Sequence, residues 1–172
     1  LDGNPRIIDG DGNSSALVDM GAYEHNPASP CIAISTSNID IYTLEPDPSG
    51  TLSIRNCGGG TLNWNLSVDQ GWLLPQATSG TSTGEIDDVT LNVDLTGLER
   101  GIHTANLTVT DPASVNEIRF VTVKLYVGGT LNVPADHATI QAAVDNAIPG
   151  DEIIVADGTY SGDGNYSIDL NE

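Results

Sequence analysis

The chain of 172 residues contains 24 acidic residues against 5 Lys or Arg, which gives it a net charge of −19. This balance argues against phosphate backbones and anionic membrane surfaces as partners, and it favours cations, above all Ca²⁺, and neutral polymers. Hydrophobic residues make up 38% and aromatic residues 5% of the sequence, which indicates a thin core of Ile, Leu and Val. No apolar run approaches the ~20 residues that a membrane-spanning helix needs.

Both ends of the chain suggest a segment of a longer, modular protein. The sequence opens at Leu1 without Met, and it closes just after what reads as the start of a new β-rich repeat. Its last part, residues 129–172, contains eight acidic residues and neither Lys nor Arg. We therefore do not expect a whole enzyme with its own active site.

Residues 1–28 are rich in turn-forming residues around two short apolar pieces, Ile7-Ile8 and Ala16-Leu17-Val18, so we expect at most one or two short strands there. Oxygen donors at alternate positions suit a hard cation such as Ca²⁺. The candidate ligands are Asp9, Asp11, Asn13 and Asp19. The pattern departs from the helix–loop–helix calcium loop, and an Asp-Gly turn without metal is the alternative. A weaker set is Asp157, Asp163, Asn165 and Asp169.

Apolar and polar residues alternate along several segments of residues 29–128. This pattern is typical of antiparallel strands with one buried and one solvated face. The apolar sets are Leu62, Trp64, Leu66 and Val68; Val89, Leu91, Val93 and Leu95; Ala105, Leu107 and Val109; and Val121, Val123, Leu125 and Val127. Turns are predicted at residues 58–60, 78–80 and 98–101. About seven strands in this span is the density of an immunoglobulin-like β-sandwich.

Two cysteines fit this sandwich. Cys31 starts the first predicted strand and Cys57 ends the second, so an antiparallel hairpin would place them near one another. We predict a disulfide between them, which implies an oxidising compartment. Two free thiols are the alternative.

Two tryptophans are candidate sugar-stacking residues, but core packing is expected for both. Trp64 shares the apolar face of its strand. Trp72 follows Gly71 at a strand edge and is the less certain of the two. The pair Asp87-Asp88 is predicted to be a solvated strand entry, and the three histidines have no zinc-ligand spacing.

Residues 129–172 change period. Ile140, Ala143, Val144 and Ala147 have the spacing of the apolar stripe of a short helix. Asp136 or Thr139 can cap its start, and Pro149-Gly150 is predicted to end it. A short strand at Ile153-Ile154-Val155 should follow.

Three resemblances to known families extend this interpretation. The C-terminal part resembles the start of a right-handed parallel β-helix of the pectin-lyase-like fold. The resemblance rests on residues 132–136, 139–144 and 149–155, with Gly158-Thr159-Tyr160. That resemblance implies that the short helix caps the coil and that the next strand begins its first rung. Residues 2–6 and 19–24 are similar to the closing segment of such β-helices in large secreted bacterial proteins.

The middle segment resembles the BACON-like, immunoglobulin-type modules of bacterial surface proteins. The resemblance rests on residues 54–64, Trp72-Leu73 and residues 101–105. Those modules have been proposed to bind carbohydrate, and many look like spacers. No binding residue of the family transfers to this chain.

Together these features predict a mainly β chain with one short helix. Residues 1–28 would be the C-terminal end of a preceding β-helix, residues 29–128 a BACON-like sandwich, and residues 129–172 the cap and first rung of a following β-helix. The expected function is non-catalytic: a structural or adhesion module of an extracellular or cell-surface bacterial protein. Its partners would be copies of itself or neighbouring repeats, stacked end to end through unpaired strand edges. The alternative is a carbohydrate-binding module that stacks a polysaccharide on Trp72.

Overall fold

The computed structural model describes residues 29–44 and 47–170 in full, and the backbone of residues 7–8 and 17–18. Strands β1 (Ile7–Ile8) and β2 (Leu17–Val18) pair with each other antiparallel, and they lie at the two apolar pieces where one or two short strands were expected. The candidate calcium ligands Asp9, Asp11, Asn13 and Asp19 lie outside the described residues.

Between residues 29 and 128 the described chain forms nine strands. They are β3 (Ile32–Ile34), β4 (Asn38–Tyr42), β5 (Ser49–Asn56), β6 (Leu62–Val68), β7 (Leu73–Pro75), β8 (Ser79–Ser82), β9 (Ile86–Val93), β10 (Gly101–Thr110) and β11 (Ile118–Val127). One sheet has the order β4-β11-β10-β6-β8, and the other has the order β3-β5-β9-β7. We call this pair of sheets the sandwich.

The first two strands of the sandwich belong to different sheets. Strand β3 pairs antiparallel with β5, whereas β4 crosses over and pairs parallel with β11. The remaining pairings within both sheets are antiparallel. This arrangement is an immunoglobulin-like sandwich, as the strand density predicted.

Most side chains of the core are ones that the alternating pattern predicted to be buried. The buried side chains that fill the space between the sheets include Leu52, Ile54, Leu62, Trp64, Leu66, Leu73, Val89, Leu91, Ala105, Leu107, Val109, Val121, Val123 and Leu125. Leu95 departs from the prediction: it lies beyond the end of β9 and is 37% exposed, because the chain has already left the sheet.

Trp64 shows how closely this core is packed. Its ring lies against the backbone of Gly80, where an added Cβ would overlap the indole, so glycine is needed at that position. Residues 79 and 80 were predicted to be a turn, but they belong to β8, which pairs with β6. The indole Nε1 donates a hydrogen bond of 2.7 Å to Asp87. Asp87 is half-buried in β9 for this reason, which corrects the solvated position predicted for it, whereas Asp88 beside it is exposed as predicted.

Residues 130–170 form a smaller unit, which we call the C-terminal unit. Strands β12 (Thr130–Val133) and β13 (Glu152–Val155) pair parallel, with helix α1 (Ile140–Asp145) between them in the chain. The unit has its own small core, to which Leu131, Val133, Ala143, Ile140, Ile153 and Tyr160 contribute.

Helix α1 starts as predicted and ends early. The Thr139 side chain accepts a hydrogen bond from the Ala142 N–H and caps the helix. The helix ends at Asp145, Asn146 is its C-cap with its N–H bonded back to the Ala143 carbonyl oxygen, and Ala147 lies exposed beyond it. No helix among the described residues has the length and apolarity to cross a membrane.

Candidate functional site

An ion pair joins the sandwich to the C-terminal unit. Arg100 precedes β10 and Asp151 precedes β13. The Arg100 Nε lies 2.8 Å from Asp151 Oδ1, and its Nη2 lies 2.6 Å from Oδ2. Nη2 also donates to the carbonyl oxygen of Asn146 at 2.6 Å. A fork-shaped contact of this kind fixes direction as well as distance, so the guanidinium orients the loop that leads into β13. We call this group of contacts the joint.

The Asp151 carboxylate is surrounded by donors. Its side chain is 1% exposed, and it accepts backbone hydrogen bonds from Gly129 at 2.8 Å and from Ile148 at 2.7 Å, besides those of Arg100. Burial by itself would raise the pKa of Asp151 and is the largest single effect. The hydrogen bonds from Arg100, Ile148 and Gly129, with the Arg100 charge, outweigh it and hold the pKa below its ordinary value of 3.8.

Close backbone contacts complete the joint. The Thr43 hydroxyl donates to the Tyr126 carbonyl oxygen at 3.2 Å and accepts from the Gly128 N–H at 2.9 Å. A Cβ at Gly128 would overlap the carbonyl group of Gly150, so the two chain segments approach each other only because residue 128 is glycine. The joint therefore involves the ends of β4 and β11 as well as the ion pair.

Acidification is expected to weaken the joint. Because the pKa of Asp151 is lower in the folded protein than its ordinary 3.8, the carboxylate contributes stability above that value. The contribution is lost as the pH falls through the lower folded pKa. The free energies of unfolding of the wild type and of Asp151→Asn, measured with urea, should differ by a constant amount near neutral pH and converge below about pH 4. A difference that persists unchanged in acid would contradict this role of the carboxylate.

The predicted disulfide is present: Cys31 and Cys57 are bonded, with a separation of 26 residues. The predicted hairpin is wrong, however. Cys31 precedes β3 and Cys57 follows β5, and these strands pair antiparallel while β4 between them lies in the other sheet. Asn116, in the turn before β11, donates to the Ile32 carbonyl oxygen at 2.9 Å and contacts Cys31 Sγ at 3.6 Å. The disulfide thus lies beside a polar cluster at one end of the sandwich.

The structure also places Trp72 and two of the weaker candidate calcium ligands, Asp163 and Asn165. Trp72 is half-buried and packs against the sandwich core, and its role in sugar binding stays a prediction. Asp163 accepts a hydrogen bond from the Tyr166 hydroxyl, and Asn165 Oδ1 accepts from the Ile140 N–H. Across residues 29–44 and 47–170, no group of three or more His, Cys, Asp or Glu side chains is placed to hold a metal ion.

One feature was missed by the sequence analysis. Tyr42 on β4 and Tyr126 on β11 stack, with ring centroids 4.9 Å apart and planes inclined by 20°. They lie on the outer face of the five-stranded sheet, where Phe120, further back along β11, is 68% exposed. The two tyrosines are far apart in the sequence, and only the parallel β4–β11 pairing brings them together.

Neither a protein-family model nor a curated protein matches the chain. Several solved structures resemble part of it. One is the CsuC–CsuE chaperone–tip adhesion subunit pre-assembly complex of the archaic Csu pili of Acinetobacter baumannii, at 16% identity and a TM-score of 0.47, covering 56% of this chain and 56% of that one. Another is PapD-like domain 7 of human CEP192, at 16% identity and a TM-score of 0.46, covering 66% and 94%.

A third is the GH5 xyloglucanase of Bacteroides ovatus in complex with a XXXG heptasaccharide, at 16% identity and a TM-score of 0.44. That match covers 68% of this chain and 25% of the xyloglucanase, and the match to the pilus complex covers little more than half of its chain. Identities of this size with TM-scores below 0.5 carry no ligand, partner or activity over to this chain.

Proposed function

We propose that this chain is a non-catalytic structural module of a large extracellular bacterial protein. In this proposal residues 1–28 end one β-helix, residues 29–128 form a BACON-like sandwich, and residues 129–172 cap and begin the next β-helix. The sandwich would set the direction in which that second β-helix extends. The observation that carries the proposal is the joint, because a buried carboxylate with four donors ties the two units together.

Two further observations support parts of this proposal. Strand β13 stacks parallel on β12 in constant register, with Thr130 opposite Glu152 and Val133 opposite Val155, which is how successive rungs of a β-helix pair. The Cys31–Cys57 disulfide is the kind of bond that persists outside the cytoplasm, which supports an extracellular location.

The proposed partners are copies of the chain or neighbouring repeats stacked end to end. Among the described residues β13 pairs only with β12, so its second edge presents unpaired backbone groups. Ile154 is 45% exposed and Val155 is 41% exposed on the same strand. An edge of this kind favours the addition of another strand. Ca²⁺ bound by Asp9, Asp11, Asn13 and Asp19 is proposed to support the opposite end.

Light scattering over a range of concentrations tests this assembly. We expect the mass to rise with concentration, more strongly with Ca²⁺ than with a chelator. Ile154→Lys, which places a charge on the open edge, should abolish the rise. Ile86→Lys adds the same charge at a 62% exposed position of β9 in the sandwich and is the matched control. It should leave the rise in mass unchanged. A strict monomer at all concentrations would contradict end-to-end stacking while leaving the rigid joint intact.

A further inference from the structure

The two halves of the Cys31–Cys57 disulfide differ in their access to solvent. Cys57 is exposed just after the end of β5, whereas Cys31 is half-buried just before β3. A disulfide is broken when a thiolate attacks one of its two sulfurs, and access helps to decide which sulfur is attacked. An external thiol therefore reaches Cys57 first, and Cys31 is the sulfur that leaves.

A hydrogen-bond donor lies at the sulfur that leaves. Asn116 Nδ2 contacts Cys31 Sγ at 3.6 Å. The orientation of this amide is fixed by Ile32, whose N–H donates to Asn116 Oδ1 at 2.8 Å and whose carbonyl oxygen accepts from Nδ2 at 2.9 Å. A donor held in this place stabilises a thiolate on Cys31, because hydrogen bonding to the charged form favours it. Since a better stabilised thiolate leaves faster, Asn116 favours attack at Cys57.

Backbone contacts hold the two cysteines together without the help of the sulfur bond. The Cys57 N–H donates to the Cys31 carbonyl oxygen at 2.9 Å, and the Cys31 N–H donates to Asn56 Oδ1 at 3.0 Å. One turn further on, the Gly59 N–H donates to the Ser29 carbonyl oxygen at 3.0 Å. After the disulfide is opened, the Cys31 thiolate therefore stays beside Cys57 and can attack it again.

We propose that Cys57 is a site of reversible S-thiolation, with Cys31 as the leaving and resolving thiol that Asn116 stabilises. A bond forms between the external sulfur and Cys57 Sγ, the Cys31–Cys57 bond breaks, and its electron pair leaves on Cys31 as a thiolate. In the reverse step the Cys31 thiolate attacks Cys57 Sγ, the external thiolate leaves, and the disulfide re-forms. The exchange consumes no oxidant, so the external thiol is its one co-reactant. Such a thiol belongs either to a small molecule or to a cysteine of another protein.

Trapping of the mixed disulfide tests the proposal. The oxidised full chain is mixed with 2-mercaptoethanol and its disulfide, and N-ethylmaleimide stops the reaction at early times. Peptide mass spectrometry should find mercaptoethanol on Cys57 and maleimide on Cys31. The reverse pattern, equal amounts of both patterns, or no adduct would each overturn the proposal. A second arm uses thioredoxin that keeps only its attacking cysteine: an adduct on Cys57 extends the site to protein thiols, and its absence assigns the site to small thiols.

The variant Asn116→Asp separates stabilisation of the Cys31 thiolate from a merely structural role. It keeps an oxygen for the Ile32 N–H and replaces the donor at Cys31 Sγ with a carboxylate oxygen, so exchange should slow by about threefold to tenfold. Loss of packing alone would loosen β3 and speed the exchange. Asn92→Asp adds the same charge at an exposed position opposite Ser49, at the end of β5 away from Cys57, and should leave the rate unchanged. An unchanged or faster rate in Asn116→Asp would overturn the role of Cys31 as the stabilised leaving group.

Discussion

Replacing Asp151 with alanine is expected to open the C-terminal unit while the sandwich stays folded. The change removes the acceptor of four hydrogen bonds and leaves the Arg100 guanidinium without its carboxylate. Breaking a buried pair from one side costs about 3–5 kcal/mol. Arg100 keeps 32% of its side-chain surface in water, so the lower end, about 3 kcal/mol, applies.

Hydrogen exchange followed by mass spectrometry measures this effect. The core of the C-terminal unit is small, with Leu131, Val133 and Ala143 as its buried residues, so the unit depends on the joint for its stability. A loss of about 3 kcal/mol raises the opening equilibrium roughly a hundredfold. Amides of β12 and β13 should therefore exchange about a hundredfold faster in the variant, and those of β10 and β11 at unchanged rates. Asp157→Ala, at an exposed acid of the same unit, is the control. Equal protection in the variant and the wild type would contradict the role of the joint.

Removing the disulfide is expected to have the largest effect on the sandwich itself. The bond closes a loop across 26 residues, and in the chain-entropy account a loop of that length stabilises by about 3.5 kcal/mol. The double variant Cys31→Ala and Cys57→Ala avoids a free thiol. Without the bond, β3 is held at the edge of its sheet by three residue pairs with β5 and by its contacts with the turn before β11.

Urea unfolding monitored by tryptophan fluorescence measures this loss, since both tryptophans lie in the sandwich. The double variant should unfold at a lower urea concentration, with a somewhat steeper slope because the unfolded chain without the bond is less compact. A reducing agent should lower the stability of the wild type by the same amount and leave the variant unchanged. A loss below about 1 kcal/mol would show that the disulfide does not stabilise this fold as the loop-closure account requires.

The sequence predicted which face of each strand is buried better than it predicted which strands pair. Period-two alternation identifies which side chains of β6, β10 and β11 are buried, because burial on one face is what produces that pattern. It does not say which sheet a strand joins. The alternation of Asn38–Tyr42 suits either sheet, and its parallel pairing with β11 was therefore not predicted. The hairpin expected for the cysteines was wrong for the same reason.

The sequence could not predict the joint or the Tyr42–Tyr126 stack, because the residues of each lie far apart in it. Arg100 and Asp151 are 51 residues apart, and no local spacing relates them. One signal was present: residues 129–172 contain no Lys or Arg, so a buried acid there has to find its cation in another part of the chain. The Tyr42–Tyr126 stack had no such signal, since it depends on the crossing of β4 to the second sheet.

Residual dipolar couplings of the full chain test the central claim, that the joint holds the sandwich and the C-terminal unit in one fixed orientation. Amide couplings of β10 and β11 on one side, and of β12 and β13 on the other, should fit a single alignment tensor in the wild type. In Asp151→Ala the couplings of the C-terminal unit should shrink while those of the sandwich stay the same. Two tensors of different magnitude in the wild type would show that the units move independently, and would contradict the account.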